Sequence, residues 1–295
     1  MERVLVNIGC GSNWHPAWTN LDIRPASREV RQWDVGNGLP FKKAEVDACY
    51  ASHVLEHFTR NQARALLREC LRVLRPGGIL RLAVPDLEGI VREYLKVLAQ
   101  AEQGDPTAAQ RYEWISLELL DQLVRTESGG DMARYLKTEA RRNGEYVLSR
   151  VGLEAEGLMA QGGDGCWIGT DRAANVFKQR VKRIVSSLVG PFVRAVRVKA
   201  WTSGQAEIGL RGLLLSGRSK EAFREGLFRL SGECHRWMYD RYSLRQLLEQ
   251  SGFAKIHVCT AYESQIEGFA SFNLDVVSGK VRKPDSLFME ALKPS

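Results

Sequence analysis

The run Val4-Leu5-Val6-Asn7-Ile8, followed at once by Gly9-Cys10-Gly11-Ser12, constrains this chain more than any other stretch. An apolar, β-branched segment that breaks on two glycines is a buried parallel strand entering a tight loop, because glycine lets backbone approach a ligand closely. Asp22 closes the next apolar run, Thr19-Asn20-Leu21-Asp22. A carboxylate at that distance is placed to accept hydrogen bonds from a ribose diol, as in nucleotide-binding α/β folds. Taken alone, Gly9-Cys10-Gly11 is equally compatible with a bare turn, so the segments that follow decide.

Those segments repeat one grammar. Glu29 to Trp33 reads as a short strand ending at Asp34, and Val46 to Ala51 as a fourth strand running into Ser52-His53-Val54-Leu55-Glu56-His57-Phe58. Thr59 and Gln62 have capping-box spacing, and Ala63, Leu66, Leu67, Cys70, Leu71 and Leu74 recur at helical intervals. Pro76-Gly77-Gly78 is expected to stop this helix before a fifth strand, Ile79 to Val84, that ends at Pro85-Asp86. The last sixty or so residues return to the pattern: a capping pair Ser243 and Gln246, a helix ending at Gly252, and strands over 254–261 and 287–292. Strands alternating with helices imply a mostly parallel sheet, whose ligands bind beyond the C-terminal strand ends. Gly9 to Ser12, Asp22, Asp34, Ser52-His53 and Asp86 all follow strands, so one crevice can collect them.

Composition narrows the class. At 295 residues, 44% hydrophobic and 26% charged, the chain has enough apolar material for two core-sized units. No apolar run approaches the roughly 18 residues of a membrane span, and no charged-then-apolar leader precedes the first strand. A cytoplasmic protein is expected. The six cysteines, Cys10, Cys49, Cys70, Cys166, Cys234 and Cys259, form no C-x-x-C pair and read as small buried hydrophobes.

The ordered set Asn7-Ile8-Gly9-Cys10-Gly11, Asp22, Leu39-Pro40-Phe41, Ala51 to His57 and Leu71-Arg72-Val73-Leu74-Arg75-Pro76-Gly77-Gly78 resembles the successive motifs of class I S-adenosylmethionine-dependent methyltransferases. Within them it is most similar to predicted methyltransferases of bacterial surface-glycan gene clusters, and His235-Arg236-Trp237-Met238-Tyr239-Asp240 is similar to that subgroup too. The resemblance implies an α/β fold: a Rossmann-like, mostly parallel sheet of the seven-strand type formed by 1–86 and 236–295, interrupted by a large helical insertion over 87–235. It implies S-adenosylmethionine as cofactor. The Gly9-Cys10-Gly11 loop would wrap the methionine end with Asn7 beneath it, and Asp22 would take the ribose hydroxyls. Ile23 would lie against the adenine, Asp34 and the backbone of Val35 would meet its amino group, and Ser52 and His53 would border the sulfonium. Two departures stand out. Ser12 to Trp18 is too short a connection for the crossover helix that a parallel pair usually carries, and no helix precedes the first strand. A shortened, open cofactor site covered by another part of the chain is expected.

Methyl transfer to a hydroxyl asks for alignment, exclusion of water and a proton acceptor. His57 and His235 are the preferred bases, with Asp86 or Asp240 as partner or acceptor-binding carboxylate. The alternative for each histidine is a structural hydrogen bond, and His15 and His257 are read that way. No clear metal-ligand spacing is read, and a bound Mg²⁺ where the acids gather stays open. The expected activity is O-methylation of a sugar hydroxyl in a surface glycan or in its lipid- or nucleotide-linked precursor. The alternatives are a small-metabolite O- or N-methyltransferase and a non-catalytic cofactor-binding protein.

The insertion holds the least readable stretch. Leu87 to Ala101 and Thr107 to Thr126 have amphipathic helical spacing, Ser128-Gly129-Gly130-Asp131 interrupts it, and a short helix follows through Met132 and Leu136. Gln161 to Gly165 reads as a loop. Basic amphipathic helices are expected over about 172–200. From Val176 to Lys199, Lys178, Arg180, Lys182, Arg183, Arg194, Arg197 and Lys199 occur without an acid, which concentrates the +7 net charge. That segment fits either an anionic membrane surface, making the protein peripheral at the inner face, or the basic rim of a cap helix. Nucleic acid is not expected, because no stacking-aromatic motif accompanies the charge. Homo-oligomerisation stays open.

Overall fold

The computed structural model describes residues 3–160 and 217–295. The strands are β1 (Leu5–Ile8), β2 (Thr19–Asp22), β3 (Val30–Gln32), β4 (Val46–Ser52), β5 (Leu74–Pro85), β6 (Ala254–Cys259), the short pair β7 (Val276–Val277) and β8 (Lys280–Val281), and β9 (Ser286–Leu292). Seven of them form one sheet in the order β3-β2-β1-β4-β5-β9-β6. The first five are mutually parallel, whereas β9 runs antiparallel to both β5 and β6. The strand order reverses between β1 and β4, where α/β sheets place their ligands.

Burial explains the sheet. Val6, Ile8, Leu21, Leu80 and Met289 are fully buried along its centre, and α1 (Arg60–Val73) covers one face with Ala63, Leu66, Leu67, Cys70 and Val73. Each such aliphatic side chain contributes roughly 1.5–3 kcal/mol. The α1 capping box forms as its spacing predicts, with the Gln62 amide donating to the Thr59 hydroxyl. The helix does not run to Pro76, however. It ends at Val73 and passes directly into β5, with Pro76-Gly77-Gly78 inside a register shift against β4.

The missing crossover helix is confirmed and has a substitute. Asn7 on β1 donates to the Asn20 side chain (3.1 Å) and to the Asn13 carbonyl (3.0 Å), while Asn20 donates to the carbonyls of His15 (2.9 Å) and Trp18 (2.8 Å). This buried amide clamp ties the β1–β2 connection to both strands.

The helices α2 (Leu87–Glu102), α3 (Pro106–Val124), α4 (Gly130–Thr138), α5 (Gly144–Val151), α6 (Leu153–Ala160) and α7 (Gly217–Leu230) lie in the chain between β5 and the closing helix α8 (Arg241–Gln250). They hold apolar clusters of their own, one on Trp114, Tyr135, Leu136 and Val147, another on Ile90, Val97, Ile115 and Met238. The N-cap of α8 is Asp240, not Ser243. The Asp240 carboxylate accepts from the amides of Tyr242 and Ser243, and Ser243 completes the box. The expected loop at 161–165 and the basic helices over 172–200, including the bilayer-facing stretch 176–199, lie outside the described residues. Among the described residues, no helix is long and apolar enough to cross a membrane.

Candidate active site

The first glycine loop has the geometry that the sequence demands. Gly9 has φ +62°, and a Cβ there would sit 2.6 Å from Val54 Cγ2. Gly11 has φ +55°, with nothing within 4 Å of where its Cβ would be. One glycine is therefore required by packing, and the other leaves open space over the loop. The Asp22 carboxylate fastens that loop: Oδ2 accepts from the Gly11 amide (2.8 Å) and Oδ1 from the Arg24 amide (2.7 Å). Burial, followed by the charge of Asp22, pushes the Cys10 thiol up to about 12, which keeps it a thiol.

The other cofactor candidates lie on or just after β1, β2, β3 and β4. Ile23 is 56% exposed beside Asp22, an apolar side chain left largely open to solvent. Asp34 caps a single 3-10 turn at Val35–Asn37, accepting from the Gly36 amide and from the Asn37 side chain. Asn7 is 1% exposed and acts through the amide clamp, so it supports the loop from below. Ser52 accepts from Arg282 Nη2 (3.2 Å). His53 has φ +54°, donates its amide to the Ala83 carbonyl, and its Nε2 lies 2.8 Å from Ser286 Oγ.

Beyond β4 the structure brings together residues far apart in sequence. The turn Leu55–His57 presents Glu56 and His57, and the strap before α8 supplies His235. The rings of His57 and His235 meet edge to face, with centroids 4.8 Å apart. Glu56 is fully buried; its Oε1 lies 3.2 Å from His53 Nδ1, yet neither oxygen accepts a hydrogen bond among the described residues. Burial pushes the Glu56 carboxyl up to about 8. It pushes His57 down to about 4, and burial with the neighbouring cations and imidazoles holds His53 and His235 well below the ordinary histidine value. Among the protein's own groups, the cluster is thus neutral near pH 7. His57 Nδ1 and His235 Nδ1 are shielded from solvent and have no hydrogen-bond partner among the described residues. A base role for either therefore needs a proton to reach a shielded nitrogen.

A cavity of about 320 Å³ opens next to this cluster, lined by His53, His57, Gln122, Arg125, Lys283 and Asp285 among others. It lies between the strand ends and the helices α3 and α4. Asp86 adjoins the cavity without lining it: its amide donates to the Asp285 carbonyl (2.9 Å), it occupies the N-cap position of α2 with its carboxylate against Gly89, and burial raises its pKa. Asp240 is engaged as the α8 cap. Glu56, Arg125, Lys283 and Asp285 were not among the expected site residues. Only Glu56 carried a signal, as an acid within the apolar run Val54 to Phe58.

Residues 6–82 match the family model described as a methyltransferase domain. The match spans 77 of the chain's 295 residues, and the mostly parallel sheet built around it has the Rossmann-like order of such a domain. Its cofactor is S-adenosylmethionine. No curated protein matches the chain. Among solved structures, the [4+2]-cyclase SpnF is 25% identical over 28% of this chain and 38% of its own, with a TM-score of 0.24. The CurJ carbon methyltransferase is 12% identical over 100% of this chain and 50% of its own (TM-score 0.34). A SAM-dependent methyltransferase from Archaeoglobus fulgidus is 10% identical over 99% of this chain and 86% of its own (TM-score 0.36). The chain therefore spans 38% of the first of these and half of the second. These likenesses are distant, and the assignment rests on the family match.

The methyltransferase domain's own residues fit the cofactor. Open space above Gly11, a carboxylate anchored at the loop by two amides, and exposed Ile23 beside it form a cradle along the C-terminal ends of β1 and β2. The strap after α7 reaches this edge as well, through Arg24 Nη2 to the Ser231 carbonyl at 3.5 Å.

Proposed function

We propose that this chain transfers a methyl group from S-adenosylmethionine to a hydroxyl of a sugar in a surface glycan or in its lipid- or nucleotide-linked precursor. The observation that carries the reading is the cavity beside the strand ends and its lining. Gln122, Arg125, Glu233, Lys283 and Asp285 offer donors and acceptors around about 320 Å³, together with an apolar wall that includes Met132, Leu136 and Val151, a combination that suits a sugar with its hydroxyl edge and apolar face. The cations Arg125 and Lys283 also suit the phosphate of a linked precursor.

When bound, S-adenosylmethionine supplies a methyl group on a sulfonium, a strong electrophile. The protein's part is to align the acceptor oxygen with it and to keep water out. Asp22, Ile23 and the Asp34 turn position the adenosine side, and His53 stands at the end of β4 where the cofactor cradle and the cavity meet. A hydroxyl taking up the methyl would become far more acidic than any side chain here as its C–O bond formed and the C–S bond of the sulfonium broke, and it would then shed its proton. Its proton passes to a carboxylate lining the cavity, Glu233 or Asp285, and alignment matters more than a strong base.

A radiolabelled methyl assay tests the reading, comparing cell-envelope extract with a pool of small metabolites as acceptors. Label in the glycan or lipid-linked fraction is expected. Label only in small metabolites moves the acceptor to the other class. Cofactor binding by calorimetry with no transfer to either makes the chain a cofactor-binding protein. For the basic segment 176–199, liposome flotation with and without anionic lipid tests a membrane-surface role.

A further inference from the structure

The group Glu56, His57 and His235 asks for an explanation that methyl transfer does not provide. One ligating atom from each residue lies within 4.8 Å of the other two. Both carboxylate oxygens of Glu56, Nδ1 of His57 and Nδ1 of His235 are buried without a hydrogen-bond partner among the described residues. Apart from the approach of Glu56 Oε1 to His53 Nδ1 (3.2 Å), these buried polar atoms are unmatched, which is costly in a folded interior, where such groups are almost always paired. A cation held between them satisfies all three side chains at once.

We propose that Glu56, His57 and His235 bind a divalent first-row transition-metal ion of the zinc class. Two imidazoles and one carboxylate suit Zn²⁺, Fe²⁺, Co²⁺ or Ni²⁺, while an all-oxygen shell would suit Mg²⁺ or Ca²⁺. Metal–ligand bonds of about 2.1 Å place tetrahedral donors about 3.4 Å apart. The three side chains reach that spacing by drawing in by somewhat more than 1 Å, which changes of side-chain torsion supply.

The backbone already prepares this link. The amides of Arg236 and Trp237 both donate to the Glu56 carbonyl, at 2.7 and 3.2 Å, and the His235 amide donates to the Gln122 carbonyl at 2.9 Å. The metal would add a side-chain tie between the same two segments. It would fix the strap to the floor of the cavity and leave one coordination position to an oxygen ligand. The local pattern His53-x-x-Glu56-His57 has the spacing that some zinc enzymes use on a helix. Here His53 precedes a 3-10 turn at φ +54° and spends Nε2 on Ser286, so His235 takes the place that the spacing suggests for His53. The site rests on these donors and not on the identity of the methyl acceptor.

The test uses the full-length protein, stripped with chelator, dialysed and titrated with Zn²⁺ by calorimetry. One equivalent is expected to bind and to raise the melting temperature. Glu56→Gln, His57→Asn and His235→Asn should each weaken binding by more than roughly 100-fold, beyond the 10- to 100-fold typical of losing a supporting residue. His53→Asn, which asparagine tolerates at positive φ, should retain the equivalent. The visible spectrum of the Co²⁺ form should show nitrogen and oxygen ligands and no thiolate. Absence of stoichiometric binding, thiolate ligation, or unchanged affinity in His235→Asn overturns the site. Should a variant fail to fold, nitrogen NMR of the wild-type histidines decides: two rings shifting at Nδ1 on Zn²⁺ addition support the proposal, and any other number overturns it.

Discussion

His57 and His235 stand edge to face, with ring centroids 4.8 Å apart and planes 83° from one another, although one follows β4 and the other precedes α8. The contact exists because the strap carrying His235 is held from two sides, by the Gln122 carbonyl of α3 and by the Glu56 carbonyl of the turn. The helical part of the chain and the sheet are thereby joined at the end of β4, next to the cavity. Gln122 and His57, both in the cavity lining, are thus tied together through the backbone bonds that hold this strap.

Asp22 is the sharpest test of the cofactor cradle. Its carboxylate anchors the loop, and under the proposed function its remaining lone pairs take the ribose hydroxyls. Hydrogen bonds to a charged group contribute about 1.5–3 kcal/mol, so Asp22→Ala should raise the S-adenosylmethionine Kd by roughly 10- to 150-fold in calorimetric titration. Asp22→Asn, which keeps one acceptor oxygen, should fall between. Unchanged affinity in the alanine variant would place the ribose elsewhere.

The two glycines of the loop should respond differently to the same substitution. At Gly9 an added methyl meets Val54 Cγ2 at 2.6 Å and the residue also holds φ +62°. Gly9→Ala should therefore cost about 2–4 kcal/mol in urea unfolding, combining positive-φ strain with overpacking. Gly11→Ala meets no protein atom, so only the conformational cost of about 1 kcal/mol remains. Its effect should appear instead as loss of cofactor affinity, since the methyl occupies the open space above the loop. Equal stability losses in the two variants would contradict this division.

Most of the sheet was legible in the sequence because its strands are short, apolar and bounded by turn residues, and α1 declared both its cap and its stripe. The antiparallel β9 was not, since strand direction leaves no mark in a run such as Leu287 to Leu292. The α8 cap was displaced by three residues because Asp240 and Ser243 both have capping chemistry, and only the fold shows which carries the helix N-terminus. At the site, the strand-end residues could be named one by one. The grouping of His235 with Glu56 and His57 could not, because it depends on how α3 holds the strap. The buried trio of Arg81, Asp275 and Glu290 was missed although it had a signal: Arg81 is the lone charge in Ile79 to Val84 and Glu290 the lone charge in Leu287 to Leu292.

That trio is the next point of failure. Arg81 is fully buried and donates to Asp275 Oδ2 and Glu290 Oε1, each at 2.8 Å, and to the carbonyls of Glu263 and Thr260. Arg81 and Glu290 are direct partners across β5 and β9. Arg81→Met would leave two buried carboxylates without their cation, a loss of about 3–5 kcal/mol. Thermal unfolding should show it. The triple replacement Arg81→Met, Asp275→Leu and Glu290→Met should recover much of the loss, because no unpaired charge then remains.

The α8 cap gives a pH-dependent prediction whose sign follows from its hydrogen bonds. The Ser243 amide, together with the Ser243 hydroxyl and the Tyr242 amide, holds the Asp240 carboxyl below its ordinary value, against a smaller opposing effect of burial. A carboxyl whose pKa is lower folded than unfolded stabilises the native state fully above the unfolded pKa. That contribution is lost as pH falls through the folded one. Asp240→Ala should cost about 1 kcal/mol at neutral pH, the usual cost of removing an N-cap. Asp240→Asn keeps a capping acceptor and removes only the charge, so its deficit should be smaller and should shrink below about pH 4, near the unfolded carboxyl pKa. Urea unfolding of wild type and both variants between about pH 3 and 7 measures this directly; a deficit of Asp240→Asn that grows on acidification would reverse the assigned sign.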